Sequence, residues 1–324
     1  MGDVLPPRVV VIGGGTMGSG IAMAFAARGP AVDLVEPSAS VREALPARLR
    51  EGLARMRVSD ADAAAARIRV HADLEGVPWD ECGFVVESAV EDAAVKRALF
   101  ARLDLLVPPG VPIGTNSSTL PVAEFAGDAA TVERMLGFHF LMPAQFVPVV
   151  EVIDGPRTDE AVIARAMAVA RAIGKRPVRV RRVLEGFLVN RMQAALMREA
   201  LALVDAGVAS AADVDTAVRF GFGFRYAACG PIVQKEHSGW EISTALYRRV
   251  FPTLATEAAP PASLEAMLAE GRHGMKTGRG FLEWDDDRVA RERDRYERAL
   301  RAALDILEAE GGDDPPPPWR RDSG

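Results

Sequence analysis

Arg8-Val9-Val10-Val11-Ile12-Gly13-Gly14-Gly15-Thr16-Met17-Gly18 is the stretch whose reading decides the fold. Val9 to Ile12 are all β-branched and run straight into glycine, the pattern of a buried strand that ends in a tight turn. Gly13, Gly15 and Gly18 satisfy G-x-G-x-x-G, and helical periodicity follows from Thr16 to about Arg28. A glycine turn that directly follows a strand and directly opens a helix is suited to a dinucleotide pyrophosphate. Gly13 permits the turn, Gly15 lets the backbone approach the phosphates, and Gly18 lets the helix pack closely on the strand. Thr16 and Met17 lie in the first helical turn, whose unpaired N–H groups face the phosphates.

Working outward, Ala31 to Val35 reads as a second strand and Glu36 stands at its end. A carboxylate there accepts hydrogen bonds from the ribose hydroxyls and repels a 2′-phosphate. The next residues are Pro37-Ser38-Ala39-Ser40, with no Arg directly following, so the expected cofactor is NAD rather than NADP. Helical periodicity returns from Ser38 to about Arg57, and Asp60 is placed to cap a short helix. Strands are expected at Phe84–Val86, 111–114, Met135–Phe140, Val147–Ile153 and 178–181, with a helix from about Asp92 to Leu105. This alternation implies an α/β fold, a Rossmann-type doubly wound and mostly parallel sheet. Only a short proline-containing loop separates Phe140 from Val147, which makes an antiparallel pair there plausible. Near Leu184 the character changes. Phe187, Met192, Leu196, Ala200 and Leu203 form an apolar helical stripe, little strand signal follows, and Arg288 to Glu310 reads as one more amphipathic helix. The expected domains are therefore 1–184, α/β and cofactor-binding, and 185–310, smaller and all-helical. Residues 311–324 carry four successive prolines and read as a mobile tail.

Composition narrows the function classes. The 324 residues are 49% hydrophobic and 26% charged, with a net charge of −6, which gives a nucleic-acid partner no electrostatic support. No apolar run approaches the roughly 18 residues of a membrane span. The acidic start, Met1-Gly2-Asp3-Val4, is unlike a signal peptide. Cys82 and Cys229 lack metal-ligand spacing and read as buried thiols in a reducing cytoplasm, and no metal is expected.

Four further segments carry a family resemblance. Phe84-Val85-Val86-Glu87-Ser88-Ala89-Val90-Glu91-Asp92, continuing through Lys96, resembles the strand and acidic turn of the 3-hydroxyacyl-CoA dehydrogenase family. Thr115-Asn116-Ser117-Ser118-Thr119-Leu120 resembles its Asn-Thr-Ser-Ser-Leu segment. His139-Phe140-Leu141-Met142-Pro143 through Val150-Glu151-Val152-Ile153 resembles its His-Phe-Phe-Asn-Pro…Val-Glu-Val segment. Gly186-Phe187-Leu188-Val189-Asn190-Arg191 resembles its Gly-Phe-Ile-Val-Asn-Arg helix start. The resemblance spans about residues 8 to 285 and implies oxidation of an L-3-hydroxyacyl-CoA to its 3-keto form. It makes His139 the general base and Glu151 its orienting partner. It sets Ser118 and Asn190 on the substrate's 3-oxygen, Glu91 and Lys96 at the nicotinamide-side ribose, and Asn116 and Ser118 beside the cofactor. It also implies a homodimer through the helical domain, a role the apolar stripe suits. The chemistry is consistent with these roles: removing a hydroxyl proton near neutral pH suits imidazole, and a carboxylate steadies its tautomer and the imidazolium formed.

The chain also departs from that pattern. Met142 stands where the family has Asn before Pro. Gly221-Phe222-Gly223-Phe224-Arg225-Tyr226-Ala227 replaces the usual Gly-x-Gly-Tyr-Pro-Met-Gly, and an arginine there resembles the branch acting on free hydroxy acids, such as gulonate and carnitine dehydrogenases. Arg225 is thus a candidate for a substrate carboxylate. The family's CoA-contacting serine and lysine, counted from Glu36, fall on Gly52 and Ser59, with Arg50, Arg55 and Arg57 nearby. The alternatives are a dehydrogenase of a free 3-hydroxy acid and a dinucleotide-binding protein without turnover.

Overall fold

In the computed structural model, which describes residues 4–309, the strands are β1 (Arg8–Ile12), β2 (Ala31–Val35), β3 (Ile68–His71), β4 (Phe84–Glu87), β5 (Ile113–Thr115), β6 (Met135–Phe140), β7 (Val149–Ile153) and β8 (Arg176–Val180). They form one sheet in the order β3-β2-β1-β4-β5-β6-β7-β8. All neighbours are parallel except β6 and β7. Strand order reverses between β1 and β4, and ligands of open α/β sheets bind at such a reversal, beyond the carboxyl ends of the strands.

The helices that go with the sheet are α1 (Thr16–Ala26), α2 (Ala39–Arg55), α3 (Ala61–Ala66), α4 (Ala93–Leu106), α5 (Val122–Ala126) and α6 (Glu160–Ala172), and α7 (Val189–Asp205) follows them. Asp60 and Asp92 cap α3 and α4 by accepting from the Ala63 and Val95 amides. The pleat of β1 divides the core. Val9 and Val11 pack with Ile21, Phe25, Leu45, Leu53, Phe84 and Phe138 on one face. Val10 and Ile12 pack with Val85, Phe100, Leu103 and Phe125 on the other. Each such buried side chain contributes about 1.5–3 kcal/mol relative to exposure.

Among the strands and α-helices of the first unit, three lie outside the sequence reading: β3, the short helix α5 and α6. β3 is a four-residue edge strand, Ile68-Arg69-Val70-His71, in which apolar and basic residues alternate. α6 covers the sheet through Ile163, Ala166, Val169 and Ala170. The helix read from Phe187 starts instead at Val189, because Gly186 (φ 75°) and Phe187 (φ 48°) are both left-handed and turn the chain first.

The chain divides into two compact units between Arg191 and Met192. Apart from isolated bridges around Arg279, the regular elements among the described residues of the second unit are helical: most of α7, Ala211–Ala217, a π-helical turn Val218–Phe222, Gly223–Ala228, Pro231–Glu236, Trp240–Val250, a 3-10 turn Phe251–Thr253, Ala262–Ala269 and Asp286–Ala309. The proline-rich segment 311–324 lies outside the described residues.

Candidate active site

The site residues lie at or just beyond the carboxyl ends of β1, β2, β4, β5 and β6, with Glu151 on the antiparallel β7. Gly13 continues from β1 in a left-handed conformation (φ 101°), and a Cβ there would meet the Ser88 carbonyl oxygen at 2.3 Å. At Gly18 a Cβ would come within 1.8 Å of the Gly13 carbonyl oxygen, so the turn and helix α1 close on one another only without side chains. A Cβ at Gly15 would meet nothing within 4 Å. That open cradle, with exposed Thr16 and half-buried Met17 on the first turn of α1, fits a pyrophosphate.

Glu36, 8% exposed, accepts from the Gly14 amide through Oε2 (2.8 Å) and from the Ser38 amide through Oε1 (2.8 Å). Each oxygen keeps a second lone pair for a ribose hydroxyl. Two arginines that the sequence reading passed over close around this acid. Arg42 donates to the carbonyls of Glu36 (2.8 Å) and Pro37 (2.7 Å), and Arg48 to that of Gly14 (3.2 Å). Both lie on α2, whose start after Ser38 was legible in the sequence, whereas which of its residues reach the turn was not.

Beyond β4 and β5 lies a buried network. Glu87 is fully buried and accepts from Lys96 Nζ (2.7 and 2.9 Å), the Thr115 hydroxyl (2.6 Å) and the Ala89 amide (2.7 Å). Lys96 is itself wholly buried, with Glu91 at 3.4 Å on its other side. The carboxylate of Glu91 accepts from the Ser117 and Thr119 hydroxyls and from the Ser118 and Thr119 amides. Burial pushes the Glu91 carboxyl up, but the two hydroxyls, the Lys96 charge and the Thr119 amide outweigh it and hold the group below its ordinary value. Asn116 links the strand ends, donating towards the Ser88 hydroxyl (3.4 Å) and accepting from the Phe140 amide (2.8 Å).

His139 and Glu151 are direct cross-strand partners of the antiparallel β6–β7 pair. Nδ1 of His139 lies 2.7 Å from Glu151 Oε2, and the two residues are 4% and 0% exposed. The other oxygen of Glu151 accepts from the Leu188 and Val189 amides, both at 2.9 Å, at the start of α7. Burial raises the Glu151 carboxyl, yet His139 and those two amides hold it below its ordinary value. A carboxylate can only accept, so Nδ1 carries the proton and Nε2 is left as the basic nitrogen. The Phe187 ring meets the imidazole edge-on, with centroids 5.5 Å apart. Asn190 follows in the first turn of α7.

The loop joining β6 and β7 is held by a buried lysine. Lys175, 5% exposed, donates to the carbonyls of Ala144 (2.7 Å) and Val147 (2.8 Å). Burial, with the nearby charge of Arg28, pulls its ammonium down to about 8. Met142 on that loop is 69% exposed. Arg225 belongs to the second unit, on the helix Gly223–Ala228, and its guanidinium makes no ion pair or hydrogen bond among the described residues. No group of three His, Cys, Asp or Glu among the described residues is arranged to hold a metal, and no helix there is long and apolar enough to cross a membrane.

Comparison with known proteins gives the same picture. Residues 8–183 match the NAD binding domain of 3-hydroxyacyl-CoA dehydrogenase, and residues 186–284 match the C-terminal domain of the same family. The chain is 36% identical to an L-carnitine dehydrogenase of Streptomyces coelicolor, across 72% of this chain and 74% of that one. It is 32% identical to a 3-hydroxybutyryl-CoA dehydrogenase of Mycobacterium tuberculosis, across 85% and 97%. Among solved structures it resembles a 5-formyl-3-hydroxy-2-methylpyridine 4-carboxylic acid 5-dehydrogenase, described as an NAD+-dependent dismutase. That likeness has a TM-score of 0.86 at 26% identity and covers 94% of this chain and 99% of the other.

Proposed function

The chain belongs to the 3-hydroxyacyl-CoA dehydrogenase family of NAD-dependent enzymes, and from that premise we propose that it interconverts the 3-hydroxy and 3-oxo forms of an acyl substrate with His139 as the base. The observation that carries this reading is the 2.7 Å His139–Glu151 bond, with the second Glu151 oxygen closed off by two backbone amides. Bound NAD supplies the hydride acceptor. His139 Nε2 takes the hydroxyl proton, and Glu151 steadies the imidazolium that results. Ser118 and Asn190 hold the reacting oxygen, and Glu91 orients the nicotinamide-side ribose with Lys96 behind it. A non-catalytic dinucleotide binder has no need of so ordered a base.

The family's substrate, an L-3-hydroxyacyl-CoA, is the first reading. A free 3-hydroxy acid is the second, and a specific observation favours it. Gly52, where the family places a CoA-contacting serine, turns towards α1: a Cβ there would meet Met23 Sδ at 2.3 Å. The unpaired guanidinium of Arg225 suits a carboxylate, and relatives at 36% identity are named L-carnitine dehydrogenase. The test measures NAD reduction with 3-hydroxybutyryl-CoA, free 3-hydroxybutyrate, gulonate and carnitine, in the wild type and in Arg225→Met. Thioester turnover indifferent to the substitution supports the first reading. Free-acid turnover lost in Arg225→Met supports the second, and no NAD reduction with any 3-hydroxy substrate overturns both.

The helical region 185–310 we assign to substrate binding and to a homodimer, supported by the exposure of Met192, Leu196 and Met197 on α7. Two free cysteines suit a reducing compartment, the cytoplasm.

A further inference from the structure

Glu36 is held by two amides, and the carbonyls of the same short turn carry two arginines. Arg42 Nη1 sits on the carbonyls of Glu36 and Pro37, and Arg48 Nη1 on that of Gly14, whose own amide bonds Glu36. The other N–H groups of both guanidinium ions have no partner among the described residues. The hydroxyls of Ser38 and Ser40 lie 3.1 Å apart on the exposed side of the turn. Two cations and two hydroxyls thus sit on the backbone of the turn that carries the carboxylate, where an acid receives the adenosine ribose. A carboxylate alone suffices to bind two ribose hydroxyls, so the arginines are left without a task in NAD recognition.

We infer that Arg42 and Arg48, with the Ser38 and Ser40 hydroxyls, form a preassembled site for a phosphate on the adenosine 2′-oxygen, kept closed by Glu36 alone. A phosphate monoester carries a charge of about −1.5 to −2 near neutrality. With Glu36 ionised, the turn offers one net positive charge and an acceptor where the phosphate oxygens must lie. Without it, two guanidinium ions face the phosphate with unused donors, in the planar geometry that phosphate oxygens accept. Removing the acid therefore does more than end a repulsion: it leaves donors already in place for the 2′-phosphate.

The inference rests on NAD binding by this domain, whatever the substrate. Equilibrium binding of NADH and NADPH, which differ only in the 2′-phosphate, is followed by nicotinamide fluorescence in the wild type, Glu36→Ser, and Glu36→Ser combined with Arg42→Ala and Arg48→Ala. The wild type is expected to bind NADH and discriminate against NADPH. Glu36→Ser is expected to bind NADPH about 10- to 100-fold more tightly than the wild type does, the scale of hydrogen bonds to a charged group. The triple variant should lose most of that gain. If Glu36→Ser does not fold, Glu36→Gln keeps an acceptor for the Gly14 amide and is read in the same way. A wild type that fails to bind NADH strikes the cofactor assignment itself. Unchanged NADPH affinity in the Glu36 variants, or a gain that survives loss of both arginines, overturns the inference while leaving that assignment intact.

Discussion

A single bond, His139 Nδ1 to Glu151, decides which imidazole nitrogen is basic. Glu151 is locked as an acceptor by its depressed carboxyl and by the Leu188 and Val189 amides. His139→Ala is expected to lower kcat by about 10²–10⁴, the usual worth of a positioned base. NADH affinity, measured by fluorescence, should stay within about twofold of wild type, because no cofactor-cradling residue is disturbed. Unaltered turnover would remove His139 from the mechanism. Glu151→Gln presents an N–H where only an acceptor served, permits the wrong tautomer, and should cost turnover on a similar scale of about 10²–10⁴. Its effect on stability has a definite sign. The folded carboxyl lies below the unfolded value of about 4.3, so its contribution is complete above that pH and is lost as pH falls through the folded value. Denaturant titrations should accordingly show the Gln variant losing less stability than wild type on going from pH 5 to the acid limb. Parallel curves would contradict the coupling.

At the scale of elements, the pair depends on two connections that hold strands and helix in place. One is the left-handed turn at Gly186–Phe187, which aims the Leu188 and Val189 amides at Glu151 and sets the Phe187 ring against the imidazole. A non-glycine residue in that conformation costs about 1–2 kcal/mol, which the packing of Phe187, 5% exposed, offsets. The other is the β6–β7 loop, tied to β8 by Lys175 through two carbonyls. The depressed Lys175 ammonium gives this tie a pH signature. Between its folded value of about 8 and the unfolded value of about 10.4, the unfolded chain binds the extra proton. Stability contributed by this group therefore rises with pH across that window. The stability difference between wild type and Lys175→Met should grow in favour of wild type from pH 8 to 10. A difference independent of pH would mean that Lys175 titrates normally.

For the whole molecule, the sheet and its flanking helices account for the buried apolar residues, whereas the described helices of the second unit bury few. Phe220 and Phe224 are 66% and 72% exposed, and Ile242 and Leu246 are also exposed. Exposed apolar side chains of this kind are what the proposed homodimer would cover. Light scattering after gel filtration should give twice the chain mass. Replacing Leu196 and Met197 together with Glu should shift the protein to monomer at micromolar concentration, since charge in an apolar interface core is strongly disfavoured. A wild type that runs as a monomer across the concentration range would count against the assembly.

What the sequence by itself determined were the features written in consecutive residues. The strand, glycine turn and helix from Arg8 to Arg28 could be read directly, because tight turns and close backbone approaches admit so few residue types. The acid at the end of β2 followed by counting, and His139 and Glu151 were identified by a family pattern whose spacing survives in this chain. Tertiary structure alone decided the rest. That Glu151 is held by the Leu188 and Val189 amides 37 and 38 residues away, that Lys175 ties down a loop 28 and 31 residues before it, and that Arg42 and Arg48 turn back on the cofactor loop are facts about contact across folded space. A local pattern records which conformations a segment tolerates. Which distant group satisfies a buried carboxylate or ammonium is settled only when the chain packs and those charges must find partners away from water.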